Sequence, residues 1–218
     1  MNKIPKGYKQ TEVGVIPEDW GLENLRSILK IIGGGSFKSK DSCTIGIRWL
    51  KIANVGKNKI IWDEESYLPL NFIKEYDIFL LKEGDLVVAL TRPIIGNNLK
   101  IAKINAKDSP CLLNQRVGKI EAVNNNIVNY IYFLLQKDEI IKLLLQSIAG
   151  TDPPNLSNNA IYSIISAFPP TPEEQSAIAA VLSDMDAEIE QLERKPDKYK
   201  QIKQGMMQEL LTGKTRLI

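Results

Sequence analysis

The sequence predicts a mixed α/β globular domain over residues 1–170, followed by a long helix of coiled-coil type over residues 171–218. Three observations carry this. Apolar runs of strand length, parted by glycines and polar turns, fill most of residues 20–123. From Ile127 to Ile148 the apolar residues shift to helical spacing. Beyond a proline-rich stretch, apolar residues recur at alternating steps of four and three.

In chain order, "VIPEDWGLENLRSIL" opens the fold, with Pro17 or Asp19 as punctuation and Trp20, Leu22, Leu25 and Ile28 as apolar positions. "IIGGGSFKSKDS" is a glycine run followed by a small basic loop; Gly33, Gly34 and Gly35 permit positive φ or close backbone approach. "IRWLKIANV" and "KIIWD" read as strands, and "LLKEGDLVVALT" as a turn into another. "LKIAKINA" alternates as a half-buried strand should, and "CLLNQRVGKIEAV" reads as one more. The Ile127–Ile148 helix is apolar around most of its circumference and so belongs inside a domain. Asn125 or Asn126 is its expected cap and Gly150 its end. "DPPNLSNNAIYSIISAFPPTP" reads as a loop, a short turn capped by Ser157, a strand and a proline-rich exit.

The tail begins with Thr171 as N-cap, Pro172 at the first helical position and Glu174 placed for a capping box. Its seam runs through Ile178, Leu182, Met185, Ile189 and Leu192. It continues through Pro196, Tyr199, Lys203, Met206 and Leu210, and eight of these ten positions are apolar. At 1.5 Å per residue the helix would span roughly 60 Å, longer than a domain of this size is wide. Gly213 is the expected stop, and Pro196 predicts a kink or a break into two helices in line. Residues 173–190 carry six acids and no base, whereas residues 194–218 carry seven bases and two acids. Antiparallel pairing of two copies would set acid beside base; complementarity to the helix dipole explains the same trend in a single helix.

Composition removes several function classes. No histidine occurs among the 218 residues, which excludes Ser-His-Asp and Cys-His machinery and argues against a zinc site. Cys43 and Cys111 lack CxxC spacing and read as reduced thiols. No apolar run reaches membrane-spanning length and the first residues lack the apolar core of a signal peptide, so a cytoplasmic protein without a membrane partner is expected. Net charge is +2, with 21 Lys+Arg against 17 Asp+Glu in residues 1–172. That balance allows nucleic-acid binding without requiring it.

Motifs for catalysis fail. "TGKT" at Thr212–Thr215 has Gln208 where a phosphate-binding loop needs glycine, and it follows a helix instead of preceding one. "DPPN" at Asp152–Asn155 has asparagine where a base-methylating enzyme needs an aromatic to stack on the flipped base. Three loops do gather the side chains that DNA readout uses: "GGGSFKSKDS", "TRPIIGNNLK" and "LNQRVGK". Gly34, Ser36, Lys38 and Lys40 come from the first, Thr91, Arg92, Asn97, Asn98 and Lys100 from the second, and Gln115 and Arg116 from the third. Arginine reads guanine bidentately, Asn and Gln read adenine, and lysines with backbone N–H groups hold phosphates. On residue type alone each is more often a solvated loop position.

The tail resembles a known family. "FPPTPEEQSAIAAVLSDMDAEIEQLE" followed by "KQIKQGMMQELLTGKTRL" is similar to the junction and spacer helix of type I restriction–modification DNA specificity subunits. "TEVGVIPEDW", the Gly33–Gly35 loop with "IRWLKIANV", and "GTDPPNLS" resemble the lead-in, start and closing loop of a target recognition domain. The resemblance implies a non-catalytic subunit that reads one half of a bipartite double-stranded DNA site. It also implies that the subunit docks methyltransferase subunits, which carry the S-adenosylmethionine, and restriction subunits where these are present; this chain itself would hold no cofactor. Docking is expected on Pro169–Gln175 and the flanks of the helix. Family members usually carry two recognition domains and two helices in one chain, whereas this sequence shows one of each. An antiparallel homodimer paired through Ile178, Leu182, Met185, Ile189, Leu192, Tyr199, Met206 and Leu210 is therefore expected. A different half-subunit as partner, or a coiled-coil adaptor that binds methyltransferase subunits without reading DNA, are the competing readings.

Overall fold

A computed structural model of the chain describes residues 4–212, 214 and 215. The helix stop expected at Gly213, and the resemblance at Arg216 and Leu217, lie outside them. The chain divides into a compact unit of residues 1–176 and a second of residues 177–218.

The first unit opens with the hairpin β1 (Tyr8–Thr11) and β2 (Gly14–Pro17), then β3 (Gly21–Asn24), the single turn α1 (Leu25–Ile28), β4 (Leu29–Gly33) and β5 (Ile47–Leu50). Next come β6 (Tyr67–Leu68), α2 (Phe72–Glu75), β7 (Leu80–Leu81), β8 (Leu86–Ala89), the small hairpin β9 (Ile94–Ile95) and β10 (Asn98–Leu99), and β11 (Ile101–Lys103). β12 (Cys111–Leu113) and β13 (Val117–Ala122) precede α3 (Val128–Leu134), α4 (Asp138–Ile148), α5 (Asn158–Tyr162) and β14 (Ile165–Phe168). α6 (Pro172–Leu211) starts in this unit and forms the described body of the second.

Two four-stranded sheets organise the first unit, in the orders β11-β8-β13-β4 and β6-β5-β12-β7. Leu50, Leu81, Val87, Ala89, Ala102, Cys111, Leu113 and Val117, drawn from both sheets, form one buried cluster. The second sheet's other residues, Ile47, Trp49, Leu68 and Leu112, are covered by Phe37, Phe72, Tyr76 and Phe79. α3 packs on β13 of the first sheet. Strands covered on both faces cannot alternate, and this corrects "LKIAKINA": Ile101 and Ala102 are both fully buried.

Three other elements differ from the sequence reading. "KIIWD" is not a strand; Ile60 makes a lone bridge to Val55 and serves the core as a plug. "CLLNQRVGKIEAV" is two strands in different sheets, because the polar Asn114–Arg116 turn carries the chain from one to the other. The expected single helix is two, broken where Lys137 adopts extended backbone and Asp138 and Glu139 supply acids to a new positive helix end. Asn126 does not cap α3. Its Nδ2 donates to Val123 O (2.6 Å) and holds the end of β13 instead. Ser157 caps α5 as read, accepting from Ala160 N at 3.1 Å.

Gln175, in the first turn of α6, is only 2 % exposed. Its Oε1 accepts from Ile127 N (2.9 Å), while its Nε2 donates to Asn126 Oδ1 (3.1 Å) and Pro169 O (3.3 Å). Burial removes Gln175 from any docking surface, contrary to the expectation for Pro169–Gln175; the amide clips the helix start to α3. Thr171 Oγ1 accepts from Glu174 N at 3.3 Å. The Glu174 carboxylate, placed for a capping box, accepts from Trp20 Nε1 (3.1 Å). Gln175→Ala would strand several buried polar groups at once. It is expected to lower the unfolding free energy by about 2–4 kcal/mol, measured in denaturant titrations.

α6 is continuous from Pro172 to Leu211 with Pro196 inside it, so the expected break into two helices does not occur. Proline removes one backbone bond, and the remaining turns on either side still carry theirs. Among the described residues no helix is long and apolar enough to cross a membrane.

Candidate nucleic-acid interface

The three polar loops converge. Gly35 N donates to Leu113 O (2.8 Å) and Gln115 N to Gly35 O (2.9 Å), which joins the glycine loop to the 114–116 turn. Leu90 N donates to Arg116 O (2.9 Å), which joins that turn to the end of β8. Parallel pairing of β12 with β5 brings Leu50 alongside, and Asn114 N donates to its carbonyl at 3.0 Å. One end of the sheet pair thus carries segments far apart in sequence.

The side chains there divide into two groups. Ser36, Lys38, Lys40, Arg92, Asn97, Gln115 and Arg116 are exposed. Lys38 and Lys40 belong to a turn fixed by Lys38 N donating to Asp41 Oδ2 (2.8 Å), with Phe37 anchored edge-on to Trp49 beneath it. Asn97 lies in the tight turn between β9 and β10, where Gly96 takes φ +57°, and Asn98 is half-buried beside it. Arg92 has φ +49°, a left-handed conformation that residues with a Cβ seldom adopt.

The second group faces inward and corrects the sequence reading. Gly34 is needed for packing: a Cβ built there would overlap the carbonyl oxygens of Leu113 and Asn114. Thr91 is 5 % exposed, and its hydroxyl donates to Asn155 Oδ1 (2.6 Å). Lys100 Nζ donates to Ile52 O at 2.7 Å. Desolvation, and then the nearby positive charge of Arg92, lower the Lys100 pKa. The two cations therefore share a locus, with Arg92 outward and Lys100 tied to the scaffold.

Two further polar residues, Lys51 and Asn155, flank these loops. Lys51 Nζ donates to Ser66 Oγ (2.8 Å) and sits 4.1 Å from the centroid of the Trp49 ring. Asn155, which stands where the base-methylating motif has an aromatic, bonds the Arg92 loop; an amide after two prolines is the signal for it in the sequence.

On α6, Met185, Ile189 and Leu192 are 55 %, 51 % and 52 % exposed, and Tyr199 and Met206 are exposed as well. Ile178, Leu182 and Leu210 are half-buried. Tyr199, Ile202, Met206, Met207, Leu210 and Leu211 line a shallow apolar hollow on the last turns. Ile202, Met207 and Leu211 widen that face beyond the single heptad track.

Residues 17–203 match the family described as "Type I restriction modification DNA specificity domain". The type I restriction enzyme MjaVIII specificity subunit of Methanocaldococcus jannaschii is 37 % identical over 213 residues, which are 97 % of this chain and 50 % of that protein. The type I restriction enzyme EcoAI specificity subunit of Escherichia coli is 37 % identical over 114 residues, covering 52 % of this chain and 19 % of that protein. In fold, the chain is similar to the HsdS subunit from Thermoanaerobacter tengcongensis, with TM-score 0.58 and 14 % identity over 94 % of this chain and 47 % of that one. The type I restriction–modification S subunit from M. genitalium gives TM-score 0.56 and 15 % identity over 95 % and 47 %. The chain spans half or less of the length of the curated relatives it matches.

Proposed function

Since the chain belongs to the type I restriction–modification DNA specificity family, we propose that its globular unit is a target recognition domain, without catalytic activity, that reads one half of a bipartite site in double-stranded DNA. The convergence of the 34–40, 91–100 and 114–116 loops on one end of the sheet pair carries this reading. Exposed Arg92 and Arg116 are the base readers, Asn97 and Gln115 suit adenine, and Lys38 and Lys40 contact phosphates. α6 pairs antiparallel with a second copy and sets the separation of the two half-sites, which a two-fold axis makes palindromic. The flanks of α6 dock methyltransferase subunits that bring the S-adenosylmethionine, and restriction subunits join where they are present. The apolar seam on α6, half exposed along its length, supports this part of the reading.

The test is selection from a pool of duplex DNA with randomised positions, the bound fraction being sequenced. Arg92→Ala or Arg116→Ala is expected to cost about 1–3 kcal/mol of discrimination at one base position. A wild-type chain that enriches no sequence, yet still binds methyltransferase subunits, would replace DNA reading by an adaptor role.

A further inference from the structure

We propose that Asn155 and Thr91 form a positioning clip that sets the direction in which Arg92 meets DNA. The inference rests on the reading of the Arg92 loop as a base reader. It gives the "DPPN" loop, which has no catalytic aromatic, a place in specificity.

The geometry is specific. Segment 154–156 is bonded to segment 90–92 at three successive residues. Leu156 N donates to Leu90 O (2.7 Å), the Thr91 hydroxyl donates to Asn155 Oδ1 (2.6 Å), and Arg92 N donates to Pro154 O (2.7 Å). Thr91 and Asn155 also form an antiparallel bridge. Asn155 is itself oriented by its Nδ2 donating to Pro153 O at 3.1 Å. At the last residue of this bonded stretch, Arg92 takes φ +49°.

A left-handed residue with a Cβ needs surroundings that over-determine it. Here the support on the incoming side of residue 92 comes through Pro154 and Asn155. The far leg of the loop is held separately, by Lys100 N donating to Pro93 O (2.7 Å) and Lys100 Nζ donating to Ile52 O (2.7 Å). The backbone torsions at residue 92 fix where its exposed side chain leaves the loop. Releasing the Thr91 hydroxyl would let residue 92 relax toward ordinary φ and swing the guanidinium away from its base. Bidentate readout depends on orientation, so discrimination should suffer more than phosphate-driven affinity.

The test uses the full chain and the same randomised duplex pool. Arg92→Ala identifies the base position that Arg92 reads. Thr91→Val, which keeps the shape and drops the hydroxyl, and Asn155→Ala should each flatten that same position by about tenfold. Thr91→Ser, which keeps the hydroxyl, should restore the preference. On an Arg92→Ala background neither clip variant should add a further loss. Binding to unselected DNA and its dependence on salt should not change.

Wild-type preferences in both clip variants, equal losses on every sequence, or full additivity with Arg92→Ala would each overturn the proposal. If Arg92→Ala flattens a position while the clip variants do not, the clip alone falls. If Arg92→Ala leaves every preference intact, the clip falls with the base-reading role itself. Should Thr91→Val fail to fold, Asn155→Ala, at an exposed residue, decides the matter alone.

Discussion

The double substitution Ile189→Glu and Leu192→Glu is expected to convert a particle of twice 24.5 kDa into one of 24.5 kDa. Both side chains are about half exposed on a helix whose apolar track continues through Tyr199 and Met206. Covering the exposed half of a large aliphatic side chain is worth about 0.8–1.5 kcal/mol, and a two-fold pair covers each twice. Four glutamates in the same seam would also leave buried charges unpaired. Together these raise the dissociation constant by roughly four orders of magnitude or more. Gln191→Glu, on the opposite flank of the helix, should leave the mass unchanged. Light scattering over a concentration series reads all three proteins. A double variant that stays paired would show that the seam is not the contact. A wild-type monomer at every concentration would hand the seam to another protein and withdraw the palindrome.

Gly34→Ala should have the largest effect within the globular unit. Its new Cβ would strike backbone carbonyls of Leu113 and Asn114, which cannot rotate away as a side chain tip can. The bridge between Gly35 and Asn114 would have to open, and with it the joint between two of the three polar loops. A loss of about 3–5 kcal/mol is expected, lowering Tm by roughly 10 °C or more. Gly33→Ala is the control. A Cβ there has no neighbour within 4 Å, so thermal melts should barely move. Equal melts for the two variants would refute the packing role of Gly34.

Local chemistry made part of this molecule readable in advance. Thr171, Pro172 and the apolar track after them announce α6, and Ser157 announces α5, because caps and periodicity act within a few residues. The Asn114–Arg116 turn reads as strand in the sequence because nothing nearby says that β12 and β13 belong to different sheets. That fact rests on β12 pairing with β5 and β13 with β8, contacts that span tens of residues. The same limit applies to the candidate interface. Residue types marked its three loops, but only sheet pairing brings them together. Thr91 and Lys100 look like contact residues in a polar loop, and only the folded chain shows their hydrogen bonds turned inward. Pro196 predicts a kink or a break because its cost is local, while the turns that carry α6 through it lie on both sides.

The Gln175 clip has a mechanical consequence. β13 leaves the turn that bears Gln115 and Arg116, runs for about 20 Å, and ends at the Val123–Asn126 corner that the Gln175 amide grips. The strand is clamped laterally by β4 and β8 along that length. It is therefore a strut, with the Gln115–Arg116 turn at one end and the root of the long helix at the other. One hydrogen-bonded strand thus connects the conformation of the Gln115–Arg116 turn to the Gln175 grip at the helix root.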